Sequence, residues 1–468
     1  MVELHHLTAV EQLDWLRRGQ VTPAELASHY LERIARINPE VGAFTTVTPE
    51  AALARAEVVT QDVPRAAALW GLPVAEKDLW ARAGVRTTYG SRLFESHVPT
   101  TSDEIVTVLD EAGAVSLGTT SAPEFGMSSY TESLVAPPAR TPWNLELGAG
   151  GSSGGAAAAV SAGLLPVAPA SDGGGSIRIP AAATGLVGLK ASRGRIPAGS
   201  GLTSLAGLVT YGSIARTVAD AALLLDAMAG DSPWSVGPPQ WDGGAWLNAA
   251  TRGEGRFQIG VMTSSPWDTS HTIVISPQAR AAFDATITEL DALGHGLEET
   301  SLDPEPYGEW FRVVWQAGAA TIPADGAQLE LLEPLTRWLV EEGRALGVRR
   351  LTDALAWLSG YERRIIRQFS RYDAVLTPAL ALTPRPVGWY DPNDGERNFD
   401  QQVEYTPWTS FVNVAGLPAI VLPVWMTEDG LPMGVQLIGR PGREDVLLAL
   451  GAQLERRVRW QRRHPASW

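Results

Sequence analysis

Residues 148–190 read GAGGSSGGAAAAVSAGLLPVAPASDGGGSIRIPAAATGLVGLK. Elsewhere a stretch so rich in Gly, Ala and Ser would suggest a flexible linker. Here Val160, Leu164, Leu165, Val167, Ile177, Ile179, Leu186, Val187 and Leu189 punctuate it regularly, and small residues interleaved with apolar ones mean close packing. Two glycine-rich turns stand out. Gly150-Gly151-Ser152-Ser153-Gly154-Gly155 runs into an alanine-rich helix, and Asp172-Gly173-Gly174-Gly175-Ser176 runs into Ile177-Arg178-Ile179-Pro180, so each puts a serine at a helix start. Three glycines ending in serine can turn several backbone N–H groups toward one point, where those donors and the helix dipole stabilise a negative oxygen. Glycines before helices also bind phosphate, but neither turn has the lysine followed by serine or threonine of a phosphate loop, nor the spacing of a dinucleotide fingerprint. Alone, the turns leave catalysis and structure equally open.

Outward from this stretch, helix and strand alternate. Thr22-Pro23-Ala24-Glu25 is a capping box with proline at the first helical position, followed by Leu26, Tyr30, Ile34 and Ile37 at helical spacing. Thr48-Pro49-Glu50 opens a second helix. Leu72 to Glu76, bracketed by Gly71 and Lys77-Asp78, predicts a short buried strand with Lys77 at its end. Ser102-Asp103-Glu104 begins a helix that stops at Gly113, and Ala114 to Leu117 forms the next strand. Beyond Asp231, helices are expected around Gln278 to Leu293 and Leu351 to Phe369, and strands at Tyr372 to Thr377, Leu417 to Val424 and Gly434 to Ile438. Asp391 to Asp400 (DPNDGERNFD) reads as an exposed polar loop. No internal repeat and no dividing linker is visible, so one large α/β domain over 1–468 is expected, with residues 231–410 shaping a substrate pocket.

Composition removes several function classes. The chain has 468 residues, 45% hydrophobic and 19% charged, enough for a large core without staples. With 0 cysteines there is no disulfide, thiolate metal site or cysteine nucleophile. A net charge of -15 repels nucleic acid and anionic membrane. No signal-peptide core and no apolar run of transmembrane length occurs, so a cytoplasmic protein is expected. The histidines His5, His6, His29, His97, His271, His295 and His464 sit in no catalytic-looking context, which disfavours a Ser-His-Asp enzyme. No metal-ligand cluster is legible, and no cofactor is implied. The 17 tryptophans serve packing or aromatic pocket lining, and none is assigned a role.

Leu72-Pro73-Val74-Ala75-Glu76-Lys77-Asp78, combined with the two serine turns, resembles the amidase signature family. The likeness runs from about Gly71 to Asp226, through Pro123-Glu124-Phe125-Gly126, Pro142-Trp143-Asn144 and Gly188-Leu189-Lys190. It returns at Gly416-Leu417-Pro418-Ala419 and Gly434-Val435-Gln436-Leu437-Ile438-Gly439. The resemblance implies an α/β fold around a central mixed β-sheet of many strands flanked by helices, with a signature core at 71–226 and a sheet-completing segment at 411–468. It implies a Ser-Ser-Lys triad in which Ser176 attacks the carbonyl, Ser152 passes the proton and Lys77 is the base. The serine spacing of 24 residues (176 minus 152), which suits the family, selects Ser152 over Ser153 as the bridge. A free lysine is neutral in only roughly one molecule in 2,500 at pH 7, so Lys77 should be buried. The resemblance also implies a cis peptide before Ser152, at the Gly151 junction. Gly173, Gly174, Gly175 and Ser176 are the expected oxyanion donors, Asp172 and Arg178 brace the turn, and Met127 and Ser128 form pocket wall.

Gly173, Ala156 and Thr119 depart from the family's usual residues, and none of these removes a triad member. The expected activity is hydrolysis of a small or aryl-bearing neutral amide or anilide through an acyl-enzyme on Ser176, with carbamate (urethane) and ester cleavage open. One alternative is the glutaminase component of a tRNA-dependent amidotransferase, against which Ile179 counts, because glutamine is usual there. The other is a catalytically silent binding protein of the same fold, against which the intact Lys77, Ser152 and Ser176 count. Oligomeric state is not legible.

Overall fold

The computed structural model describes residues 3–196, 204–229 and 246–468. Of the region expected to shape the pocket, 231–245 lies outside the described residues, as does 197–203 of the signature core.

Eleven strands form two sheets among the described residues. The smaller has the order β1 (Phe44–Val47), β3 (Val115–Thr120), β2 (Pro73–Lys77), with β1 antiparallel and β2 parallel to β3. The larger is mixed. Its order is β4 (Val167–Asp172), β6 (Thr210–Ala215), β5 (Val187–Lys190), β10 (Ala419–Met426), β11 (Pro432–Gly439), β9 (Ala374–Pro378), β7 (Gln258–Val261), β8 (Gly296–Glu299). The pairings from β4 through to β9 are antiparallel, and β7 runs parallel to both its neighbours. The expected mixed α/β architecture is therefore observed.

Local chemistry accounts for the elements the sequence announced. At Thr22 the side chain accepts from the Glu25 N–H while Glu25 returns to the Thr22 N–H, which satisfies two of the orphan donors of helix Pro23–Val41. The alanine-rich helix Gly154–Ser161 is buried along its whole length, as close packing of small residues requires. No helix among the described residues is long and apolar enough to cross a membrane.

One expectation holds only in part. The segment Asp391 to Asp400 contains the start of helix Gly395–Tyr405, whose Asp394 side chain accepts from the Arg397 N–H as an N-cap. Asn398, Phe399 and Val403 on this helix are buried. The first part of the run is an exposed non-helical stretch as expected, with Pro392, Asn393 and Asp394 exposed, while its second part is a capped helix start that buries Asn398 and Phe399 and leaves Glu396 and Arg397 exposed.

Candidate active site

Lys77 ends β2, where strand alternation sends Glu76 and Lys77 to opposite faces. Glu76 meets Arg82 at 2.5 Å and accepts from Ser116 Oγ at 2.5 Å. Lys77, fully buried, faces the end of β4: its Nζ donates to Ser152 Oγ at 2.8 Å and to Ser171 Oγ at 3.1 Å. Ser152 Oγ in turn lies 2.6 Å from Ser176 Oγ. Lys77, Ser152 and Ser176 thus form one hydrogen-bonded chain. Burial strips water from the ammonium and lowers the Lys77 pKa to about 7, against the opposing attraction of the Asp172 carboxylate.

Two interlocked turns set the serine contact. Gly151 has φ +58°, and a Cβ there would lie 2.3 Å from Pro180 Cδ, in the segment that follows Ser176. Only glycine lets the turns approach so closely. Ser129 and Thr131 clamp the first turn: the Gly151 N–H donates to Ser129 O at 2.7 Å, and Thr131 Oγ1 donates to Gly151 O at 2.6 Å. The expected cis peptide before Ser152 is corrected here, since no peptide bond among the described residues is cis. Successive left-handed residues, Gly150 at φ +74° and Gly151, make the turn instead. The Ser153 hydroxyl donates to Ser171 O at 3.2 Å and does not bond Lys77 or Ser176.

On the far side of Ser176, Asp172 organises the second turn. Its carboxylate accepts from Gly175 N–H at 2.8 Å, Ile177 N–H at 3.1 Å, Arg178 Nη2 at 2.8 Å and Arg178 Nε at 3.0 Å. Arg178 also donates to Gln436 Oε1 and Asn413 Oδ1, each at 2.6 Å, and Thr409 Oγ1 donates to Gly174 O at 2.6 Å. Burial alone would raise the Asp172 pKa, but the Arg178 charge and hydrogen bonds, with help from Lys190 and Asn413, hold it well below the usual carboxylate range. The expected donor set needs one correction. The Gly175 N–H is committed to Asp172, while those of Gly173, Gly174 and Ser176 have no acceptor among the described residues.

Ser176 sits at the waist of a two-lobed cavity. The first lobe, about 860 Å³ with its mouth, is lined by Ser152, Ser171 and Gly173 and walled by Leu79, Trp80, Tyr211, Val314 and Ile322. The second, about 500 Å³, is walled by Trp267, Phe311, Phe399 and Val403. Gly126, Met127, Trp315 and Ser176 line both, and Ser128 lines the second. No charged side chain is among the described residues lining either lobe. A Cβ at Gly173 would come within 3.2 Å of Val209 Cγ2, closer than an ordinary contact, and would touch Trp315 at a normal 3.7 Å, so glycine there lets Val209 pack against the turn.

Sequence reasoning missed Ser171, Thr409, Asn413 and Gln436. Gln436 carried a signal: it is a lone amide inside an apolar strand and needs buried partners.

The amidase family's sequence profile matches residues 25–448. The chain belongs to this family, the amidase signature enzymes. A Mycobacterium tuberculosis protein, AmiB2, whose own naming as an amidase is provisional, is 38% identical over 98% of this chain and 97% of its own length. The glutamyl-tRNA(Gln) amidotransferase of a Roseiflexus species contains a chain that is 34% identical over 99% of both sequences. Among solved structures, 6-aminohexanoate cyclic dimer hydrolase in complex with its substrate superposes with a TM-score of 0.91 at 28% identity, covering all of both chains. With the amidase family comes hydrolysis of amide C–N bonds.

Proposed function

We propose that this amidase cleaves neutral small-molecule amides through an acyl-enzyme on Ser176. The observation that carries this reading is the unbroken chain Lys77 Nζ–Ser152 Oγ–Ser176 Oγ at 2.8 and 2.6 Å, with a lysine pKa near 7. When Lys77 is neutral, the hydroxyls rotate so that Ser176 donates to Ser152 and Ser152 to Nζ. Ser176 Oγ attacks the carbonyl carbon, its proton passes to Ser152, and the Ser152 proton passes to Lys77. The carbonyl oxygen becomes an alkoxide, met by the N–H groups of Gly173, Gly174 and Ser176. Each such donor is worth about 2.7–4 kcal/mol in the barrier.

Collapse breaks the C–N bond. Ser152 gives its proton to the departing nitrogen and is resupplied by Lys77, which leaves free amine, acyl-Ser176 and neutral Lys77. Water then attacks the ester with the same relay as base, releasing the carboxylic acid. Protonation of nitrogen is the step amides require, because an amide anion is too poor a leaving group. The acyl-enzyme mechanism itself also accepts carbamates and esters.

The uncharged lining weighs against the amidotransferase reading that the Roseiflexus relative raises, since glutamine brings an ammonium and a carboxylate that would need partners on burial. The neutral cyclic amide named for the hydrolase of similar structure is closer to what these walls suit. The test is release of 4-nitroaniline from acetyl 4-nitroanilide. We expect turnover by the wild type and a loss of at least about 10⁴-fold in Ser176→Ala, in line with removal of a serine nucleophile. Equal activity in the variant would overturn the assignment of Ser176.

A further inference from the structure

The two lobes differ in one chemically decisive respect: Ser152 lines the first and not the second. Given the relay proposed above, on which this inference rests, the proton that releases the amine comes from Ser152 Oγ. The scissile nitrogen must therefore lie within hydrogen-bond reach of that oxygen, and its substituent continues into the lobe that Ser152 lines. The acyl chain leaves the carbonyl carbon in the other direction, past Gly174 and Ile179, toward Phe311 and Val403.

Of the described glycines lining the first lobe, Gly126, Gly173 and Gly318, Gly318 alone has open space where a Cβ would lie. It lies in helix Tyr307–Ala319, three residues after Trp315, and lines the first lobe only. A Cβ there would meet nothing within 4 Å, whereas at Gly308 of the same helix it would lie 2.8 Å from Trp267, and at Gly343 of the neighbouring helix 2.0 Å from Gln316 O. Those two glycines are required by packing. Gly318 is not, and glycine near a helix end is less favourable than alanine. What its missing side chain provides is room in the cavity.

We propose that the first lobe receives the amine half of the substrate and the second the acyl half, and that Gly318 sets how bulky an amine is accepted. The substrate class is then a neutral secondary amide with an apolar group on each side of the bond, the larger one on nitrogen. This amidase would release an apolar amine in preference to ammonia.

A series of 4-nitroanilides with acyl chains from acetyl to octanoyl, cleaved by the wild type, Gly318→Leu and Val403→Phe, separates the halves. All members share one amine, so Gly318→Leu should lower kcat/KM for every chain length alike, by about tenfold or more, as filling a hydrophobic pocket does. Val403→Phe should cut the long chains by a similar factor and acetyl by less, so that its effect grows with chain length. Gly318→Ala should give an intermediate loss, and its fold is at no risk because its Cβ meets nothing. A Gly318→Leu effect that grows with acyl length, or no effect, would overturn the lobe assignment while leaving the nucleophile reading intact. If the wild type cleaves no member, the reading of the relay falls and this inference with it.

Discussion

Two networks of buried polar side chains meet at Ser176, and they treat charge in opposite ways. On one side the Lys77 ammonium donates, among the described residues, only to the hydroxyls of Ser152 and Ser171, and its pKa drops to about 7. On the other, Asp172 is just as buried but is held by Nε and Nη2 of Arg178 and by two backbone N–H groups, and it stays ionised. Burial penalises either charge. What decides the outcome is whether an opposite charge is in contact. Lys190 provides a third case: it is fully buried, bonded to Ala191 O at 3.0 Å with no carboxylate in contact among the described residues, and it also falls to about 7. In the proposed relay, Ser176 stands where a network that moves protons adjoins one that does not.

Breaking each network should therefore have a different signature. Lys77→Met keeps the length and apolar stem but removes the basic nitrogen, and kcat/KM on acetyl 4-nitroanilide should fall by about 10²- to 10⁴-fold, the range for a general base. Stability should respond differently. The folded lysine pKa near 7 lies below its unfolded value of about 10.4, so between those pH values the unfolded chain holds a proton that the folded chain lacks. Wild-type stability from this group rises with pH across that window, and Lys77→Met should remove about half of the rise in urea unfolding, the rest coming from Lys190. Loss of the fold itself would contradict a proton-moving role.

Arg178→Met does the reverse. It leaves Asp172 buried and unpaired and releases Gln436 and Asn413, which should cost about 3–5 kcal/mol of unfolding free energy, as removal of one partner of a buried pair does. Urea titration at neutral pH reads this directly. A variant that loses activity but unfolds at the wild-type midpoint would show that Arg178 does more than hold the turn.

The sequence made one network far more legible than the other. Lys77, Ser152 and Ser176 belong to short local motifs whose glycines reveal the turn geometry, and Asp172 and Arg178 flank the same turn. The brace closes through Asn413 and Gln436, which reach Arg178 from 235 and 258 residues away, and no local pattern fixes such a pairing. Ser171 lies beside Asp172 in the chain but is one serine in an apolar strand, and only the position of β2 gives it a partner. The helix beginning at Gly395 was hidden because Asp-Gly reads as a turn. There Asp394 is a cap, and Gly395 admits Trp338, since a Cβ would lie 2.6 Å from that side chain. Composition reported exposure correctly for Pro392, Asn393, Asp394, Glu396 and Arg397 and missed the burial of Gly395, Asn398 and Phe399. The walls of both lobes come from such distant segments, which is why only Met127 and Ser128 among them were named in advance.

The comparison is sharpest at Ser171, where a single substitution would give Lys77 what Asp172 already has. Ser171 Oγ is 3.1 Å from Lys77 Nζ, so Ser171→Asp places a carboxylate in contact with the ammonium. An opposite charge at that distance favours the charged form and should raise the lysine pKa by about 1–3 units. Because the proposed relay needs neutral Lys77, wild-type kcat/KM should rise with pH through a midpoint near 7, and the variant's midpoint should move up by that amount. At neutral pH the variant is then slow, and it recovers as the pH rises, which a damaged site would not do. Ser171→Ala, which removes the hydroxyl without adding charge, should keep its midpoint close to the wild-type value. A Ser171→Asp profile that still turns near 7 would mean that the group controlling the rate is not Lys77.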